Sequence, residues 1–67
     1  MKFENKLRGR LAEIGMTVSE FAENMGFSRP TARRKIDGKV EFSATEIKRA
    51  CHVLNIPISD IEIYFFS

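Results

Sequence analysis

The apolar residues near the start of the chain repeat with helical spacing. Four of them, separated by four, four and three positions, are Phe3, Leu7, Leu11 and Ile14. Residues with this spacing share one face of an α-helix. Gly15 follows at the point where a glycine in the left-handed conformation commonly ends a helix. The pattern predicts a first helix over about residues 3–14.

A second amphipathic segment begins with a capping signal. Thr17 and Glu20 stand three residues apart, the spacing at which a hydroxyl and a carboxylate satisfy free amides at a helix start. The apolar residues that follow at helical spacing are Val18, Phe21, Ala22 and Met25. Such a set predicts an amphipathic helix over about residues 18–25, ending at Gly26.

A third helix is predicted after a very short turn. Two residues separate Gly26 from the stretch RPTARRKID, and so short a connection makes the two helices pack at a steep angle. Pro30 marks the helix start, because proline is tolerated only in the first turn and disfavours helical dihedrals in the preceding residue. The N-cap is either Ser28 or Arg29, and the helix covers about residues 29–37.

The fourth helix repeats the capping signal. Ser43 and Glu46 have the same spacing as the earlier pair, which predicts a helix start. The apolar residues behind them, again at helical spacing, are Ile47, Ala50, Cys51 and Leu54. Asn55 is a plausible C-cap and Pro57 blocks continuation. We therefore expect a helix over about residues 44–54.

The apolar tail, residues 56–67, fits two patterns. Ser59 and Glu62 could cap a fifth short helix, whereas Ile61, Ile63 and Phe65 alternate as in a strand. Both interpretations stay open on the sequence. In either case the tail concentrates aromatic surface, and the residues expected to contact a partner or a second copy are Tyr64, Phe65 and Phe66.

These elements fit a single domain spanning residues 1–67. We expect an all-α fold, a compact bundle of four or five short helices that contains a helix-turn-helix, with the tail as a short helix or extended. A domain this small buries only roughly 60% of its unfolded surface, and a concave active site would remove volume from that core. We therefore expect no enzymatic activity and no small-molecule substrate.

Cysteine and histidine, the residue types most often found in metal sites and nucleophilic catalysis, occur once each. Cys51 is the only cysteine and His52 the only histidine, which excludes a disulfide framework and a Cys/His metal cluster within one chain. Neighbouring helical residues diverge by about 100°, so the two side chains would not meet as a catalytic pair. No cofactor or metal is expected, and without an apolar run long enough for a signal peptide or membrane span we expect a cytoplasmic protein.

Charge is distributed unevenly along the chain. Residues 1–40 carry nine Lys or Arg and five Asp or Glu, whereas residues 41–67 carry two and four. The net charge of +2 hides this asymmetry. A basic end indicates an anionic partner.

The second and third predicted helices are short, a glycine-containing turn joins them, and the third is basic. These are the parts of a helix-turn-helix, which inserts its second helix into the major groove of double-stranded DNA. At about 100° per residue from Arg29, Ala32 and Ile36 fall together at about 300° and 340°, and Arg33 and Arg34 at about 40° and 140°, which we interpret as an apolar face and a basic face. Arginine can hydrogen-bond guanine O6 and N7, a contact worth about 1–3 kcal/mol of discrimination. Arg29 is the first candidate for this contact and Arg34 the second. The candidate DNA-binding residues are Arg29, Pro30, Thr31, Arg33, Arg34, Ser28, Thr17, Lys35 and Lys39.

Several of these residues also have purely structural explanations. Cations in the last turn of a helix complement its dipole without binding anything. N-capping alone accounts for Thr17 and Ser28, to which a phosphate contact would only be added. Lys39 could reach a phosphate or face water. The capped helix that precedes the basic one at the right spacing favours the DNA-binding interpretation.

The stretch FAENMGFSRPTARRKIDGK followed by FSATEIKRACHVLNI resembles the lambda-repressor-like (Cro/C1, XRE) helix-turn-helix family over nearly the whole chain. With LRGRL near the start and a terminal YFF, it is most similar to short Cro-type or antirepressor (modulator of repression) proteins of phages of Gram-positive bacteria. The resemblance implies a bundle of four or five helices and a part in a lysis-lysogeny switch.

The resemblance also implies roles for individual residues. The third-helix positions that would face DNA are Arg29, Pro30, Thr31, Arg33 and Arg34, and the start of the second helix, near Thr17 and Val18, would meet the DNA backbone. The sequence departs from the family at Pro30, where many members carry a hydrogen-bonding side chain. It departs also at Ala32, which is smaller than the usual branched residue and predicts a lightly anchored third helix.

Two functions follow as expectations. The first is a sequence-specific DNA-binding transcriptional regulator of a phage genetic switch, acting in the host cytoplasm. The alternative, also found among relatives of this size, is an antirepressor that binds the phage repressor protein, alone or jointly on DNA. A homodimer would suit palindromic half-sites, but the sequence equally permits a monomer.

Overall fold

The computed structural model describes residues 5–66, and helices dominate this part of the chain. In chain order they are α1 Lys6–Glu13, α2 Val18–Met25, α3 Arg29–Ile36, α4 Ala44–Leu54, a short 3₁₀ helix Ile58–Asp60, and α5 Ile61–Phe65. No strand occurs among these residues. The expected all-α bundle is confirmed, with five α-helices.

Both predicted capping boxes are formed. At the start of α2, the Thr17 hydroxyl accepts a hydrogen bond from the Glu20 amide at 3.1 Å, and the Glu20 carboxylate accepts one from the Thr17 amide at 2.9 Å. Ser43 and Glu46 repeat this exchange at the start of α4 with the same two distances. Each box satisfies two amides that would otherwise lack a partner. The local sequence alone therefore predicts where α2 and α4 begin.

The ends of α2 and α4 use left-handed residues. Gly26 closes α2 with φ 79°, and Asn55 closes α4 with φ 56°. Glycine adopts this region freely and asparagine tolerates it better than most residues. The predicted ends at Gly26 and Asn55 are confirmed.

The bounds of α1 differ from expectation, whereas α3 begins at the predicted residue, ends one residue early at Ile36, and takes one of its two predicted N-caps. Asn5 is the N-cap of α1, and its side chain accepts a hydrogen bond from the Arg8 amide. The helix thus begins at Lys6 rather than at residue 3, while Phe3 lies outside the described residues. Ser28 rather than Arg29 caps α3, since its hydroxyl accepts a hydrogen bond from the Thr31 amide.

The tail is helical, so the strand interpretation was wrong. It continues from the 3₁₀ helix into α5, but neither helix has a side-chain hydrogen bond at its start. The predicted cap by Ser59 and Glu62 is therefore absent. What holds the tail is packing: Phe65 meets Phe42 edge-on with ring centroids 5.1 Å apart, and Ile61 lies against the core.

The core is a single apolar cluster to which α1, α2, α3 and α4 contribute buried residues. Its members are Leu7, Leu11, Phe21, Ala22, Met25, Ala32, Ile36, Ile47, Ala50, Cys51, Leu54 and Ile56. Phe21 and Leu54 are the largest side chains shielded completely from solvent. Helix α2 packs against α3 and α4, while α5 lies against α1 and α4. Ile14, expected on the buried face of α1, is 38% exposed because it already lies beyond the helix end.

Candidate nucleic-acid interface

Helix α3 has a buried face and an exposed basic face. Ala32 is fully buried and Ile36 is 4% exposed, so these two residues fix which side of the helix meets the core. Arg29, Arg33 and Arg34 are all exposed. The predicted division of the helix into an apolar and a cationic side is therefore what the structure has.

The three exposed guanidinium groups have no protein partner among residues 5–66. Neither a salt bridge nor a side-chain hydrogen bond joins Arg29, Arg33 or Arg34 to any of those residues. Like charges one helical turn apart, such as Arg29 and Arg33, repel each other by about 0.2–0.5 kcal/mol. The helix carries this repulsion without a compensating carboxylate, and a polyanion would relieve it.

Lys35, also among the predicted DNA contacts, is less exposed than the three arginines. Its side chain is 11% exposed and forms a salt bridge with Glu46, Nζ to Oε1, at 2.9 Å. Its ammonium also donates a hydrogen bond to the Glu41 carbonyl at 3.1 Å. Within residues 5–66 the Lys35 ammonium is therefore held by two oxygen atoms of the protein, unlike the guanidinium groups of the three arginines.

The hydroxyl groups near the helix starts are partly committed. The Ser28 hydroxyl donates to Thr31 Oγ1 at 2.9 Å and accepts from the Thr31 amide at 3.3 Å. Its proton is therefore used within the chain. The Thr17 hydroxyl only accepts, from Glu20, and Thr31 Oγ1 only accepts, from Ser28, so both threonines keep a proton that a phosphate oxygen could accept.

Pro30 and Lys39 flank the arginines and are exposed. Pro30 lies in the first turn of α3, where its missing amide costs no hydrogen bond. The Lys39 backbone is fixed by a hydrogen bond from its amide to the Arg34 carbonyl at 2.9 Å. The surface formed by Arg29, Arg33, Arg34, Pro30 and Lys39 is called the basic face below.

Two other basic residues of the N-terminal part, Arg8 and Arg10, have partners within the chain. Arg8 forms a salt bridge with Asp37 just after α3, Nη2 to Oδ1, at 2.6 Å. Arg10 donates to the carbonyls of Leu54 and Asn55, both at 2.9 Å, and so caps the end of α4. The charge count along the sequence includes both arginines in the basic end, and the structure shows that each has partners within the chain.

The aromatic tail is divided between the protein's own core and the surface. Tyr64 and Phe65 are half-buried and pack against the core, so they are committed first to this chain and only their edges remain for a partner. Phe66 is 67% exposed. Ile58 is 70% exposed and was missed by the sequence reasoning, because its burial depends on how the 3₁₀ helix turns.

Residues of other chemistry are in structural surroundings. Cys51 is buried, and the burial raises the pKa of its thiol, so it stays protonated and unreactive at neutral pH. Within residues 5–66 no three His, Cys, Asp or Glu side chains come together in a group that could hold a metal ion. None of the described helices combines the length and the apolarity needed to cross a membrane.

Over residues 5–66 the fold is that of a small all-α protein with five short α-helices. The chain belongs to the family described as "Protein of unknown function (DUF739)", whose model matches residues 1–67. No curated protein matches the sequence.

Proposed function

We propose that this protein is a sequence-specific DNA-binding regulator of the lambda-repressor-like helix-turn-helix type, with α3 as the recognition helix in the major groove. The finer assignment is to the short Cro-type proteins of phage lysis-lysogeny switches, acting in the cytoplasm of the host. The observation that carries the proposal is the exposure of Arg29, Arg33 and Arg34 on a capped, core-anchored helix without partners among the described residues.

The chemistry of this surface suits duplex DNA. The exposed arginines of α3, at its start (Arg29) and in its last turn (Arg33 and Arg34), supply donor pairs of the kind that read guanine edges. Lys39 and the free hydroxyl protons of Thr17 and Thr31 suit phosphate oxygens, which position a protein on the duplex without reading its sequence. Pro30 has no donor, so it favours an apolar contact such as a thymine methyl group.

The test is selection of duplexes from a random pool, followed by affinity measurements on the selected site at rising salt. We expect the logarithm of the affinity to fall linearly with the logarithm of salt concentration, by about 0.9 for each phosphate contact. If the protein at low salt binds no duplex, alone or with a partner protein, the proposal is refuted.

Single substitutions distinguish the contribution of base recognition from the contribution of positive charge to DNA binding. Arg29→Lys keeps the charge but loses the two-pronged donor geometry, so it should weaken preference for the selected site and leave the salt dependence unchanged. Lys39→Met should weaken binding to all duplexes alike. Lys48→Met is the matched control, because Lys48 is an exposed cation on α4, outside the basic face, and we expect it to change affinity least.

A second candidate is an antirepressor that binds the phage repressor protein, and the exposed apolar side chains of Ile58 and Phe66 favour it. Its test is binding to the repressor encoded by the neighbouring gene, measured in the absence of DNA. Formation of a stable complex that Phe66→Ser weakens and Arg29→Met does not would support this function. No complex without DNA would remove it.

A further inference from the structure

Lys35 differs from the other basic residues of α3 in pointing into the protein. The basic residues of this helix are Arg29, Arg33, Arg34 and Lys35, and the first three are exposed. The Lys35 side chain is only 11% exposed. A lysine shielded to this extent loses hydration that its contacts must replace, so those contacts identify its role.

The Lys35 ammonium connects the segments on both sides of α3. It lies 5.2 Å from the ring centroid of Phe27, in the turn before the helix, and 5.7 Å from that of Phe42, in the connection after it. It also donates to the carbonyl of Glu41 in that connection and to the carboxylate of Glu46 on α4. One charged group thereby joins both loops that flank α3 to the next helix.

The carboxylate that receives Lys35 is itself fixed. Glu46 Oε1 accepts the Lys35 ammonium and the Ser43 amide, each at 2.9 Å. The hydrogen bond from Lys35 is the main cause that lowers the pKa of Glu46, and the hydrogen bond from Ser43 lowers it further. The contact therefore ties α3 to the capping box of α4, a rigid point of the scaffold.

Helix α3 needs such a tie, because its own apolar contacts are few. Only Ala32 and Ile36 of its eight residues are buried, and alanine offers a small contact area. The helix is also held at its end, where the side-chain amide Nδ2 of Asn5 donates to the Ile36 carbonyl at 3.3 Å. Small apolar anchors permit rocking of a helix, whereas directional contacts of a charged group fix one orientation.

We propose that Lys35 is a positioning residue for DNA recognition: through Glu46, Phe27 and Phe42 it sets the orientation in which α3 presents the basic face, and it does not itself contact DNA. This inference rests on the proposed DNA-binding function. It assigns to Lys35 an effect on discrimination between sequences rather than on the general attraction of DNA.

The experiment compares Lys35→Met with Lys39→Met, which removes the same charge from the basic face. For each variant the affinities for the selected duplex and for an unrelated duplex are measured across a salt series, on protein shown to be folded by circular dichroism. We expect Lys35→Met to reduce the ratio of the two affinities about tenfold, the size of one lost arginine–guanine contact, with an unchanged salt slope. Lys39→Met should leave the ratio unchanged and reduce the slope by about 0.9.

Glu46→Gln provides a second test, in which a charge effect and a positioning effect give different results. It also covers the case in which Lys35→Met does not fold. If Glu46 acted only as a charge, its neutralisation would strengthen binding to every duplex and leave discrimination unchanged. If Glu46 holds Lys35 in place, discrimination falls. The double variant Lys35→Met/Glu46→Gln should then lose no more discrimination than Lys35→Met alone, because both changes break one contact.

The outcomes distinguish the positioning role of Lys35 from the DNA-binding function of the protein. A salt slope reduced in Lys35→Met as in Lys39→Met would identify Lys35 as a direct phosphate contact and overturn the positioning role. Unaltered discrimination in folded Lys35→Met or in Glu46→Gln would overturn it as well, while the DNA-binding function stood. Absence of duplex binding by the unaltered protein would instead refute the proposed function, and the positioning role with it.

Discussion

Two arginines, Arg10 and Arg33, should respond to the same substitution in opposite ways. Arg10 lies on α1 with a side chain 21% exposed, and its guanidinium donates to the carbonyls of Leu54 and Asn55 at the end of α4. Arg33 is exposed on α3 and has no such partner among the described residues. Replacement by methionine keeps most of the apolar stem and removes only the charged donors.

The expected cost of Arg10→Met follows from these contacts. A hydrogen bond that involves a charged group contributes about 1.5–3 kcal/mol, but the Asn55 carbonyl is exposed and water can replace that bond. We therefore expect a loss of about 2–3 kcal/mol in the free energy of unfolding, most of it from the partly buried carbonyl of Leu54. For a domain of this size that lowers the Tm by about 10–20 °C. Arg33→Met should stay within about 0.5 kcal/mol of the unaltered protein.

The assay has two readouts for each variant. Urea unfolding followed by circular dichroism gives the free energy of unfolding, and fluorescence anisotropy at a temperature where both variants are folded gives duplex affinity. We expect Arg10→Met to lose stability and keep affinity, and Arg33→Met to keep stability and lose affinity. Loss of affinity in folded Arg10→Met, with stability unchanged, would refute the division of the arginines into internal and exposed groups.

Three further changes test the local structure. Ser43→Ala should cost about 1 kcal/mol, the typical value of an N-cap, measured by urea unfolding, and a cost near zero would contradict the capping box. Because Glu46 has its pKa lowered from 4.5 in the folded protein, its contribution is complete well above that pH and is lost as the pH falls through the folded-state pKa. Glu46→Gln should therefore flatten the fall in Tm below about pH 5, and an unchanged pH profile would argue against the contact with Lys35. Gly26→Ala should cost about 1–2 kcal/mol, because φ is 79° there, whereas Gly26→Asn should cost less, and equal costs would show that the backbone conformation does not matter.

The parts of the fold that depend on local interactions could be predicted from the sequence. The caps of α2 and α4 involve residues three apart, and the turns after them depend on Gly26 and Asn55 alone. Helical spacing identified the buried residues of α2 and α4 for the same reason. The tail was different, because Ile61, Ile63 and Phe65 fit a strand as well as a helix. In the structure the tail packs on residues far away in the sequence, among them Phe42, which local spacing does not encode.

In the candidate site, too, the sequence predicted what depends on local geometry and not what depends on contacts between distant residues. The sequence identified α3 as basic and placed Ala32 and Ile36 together on one side of it, which follows from helical geometry. It did not distinguish exposed cations from those with internal partners, because the partners are distant in sequence. Lys35 meets Glu46 across eleven residues, and Arg10 meets the Leu54 carbonyl across forty-four. Charge patterns indicate the kind of partner, whereas the tertiary structure decides which charges are available to it.

The most direct test of the central claim is a titration of ¹⁵N-labelled protein with the selected duplex, followed by NMR through the backbone amides and the arginine Nε–H groups. The account predicts that the largest changes fall on the basic face, at the side-chain signals of Arg29, Arg33 and Arg34 and the amides of residues 28–34, with little change at α5. Changes confined to the tail around Phe66, or saturation without any change in the three arginine signals, would contradict it.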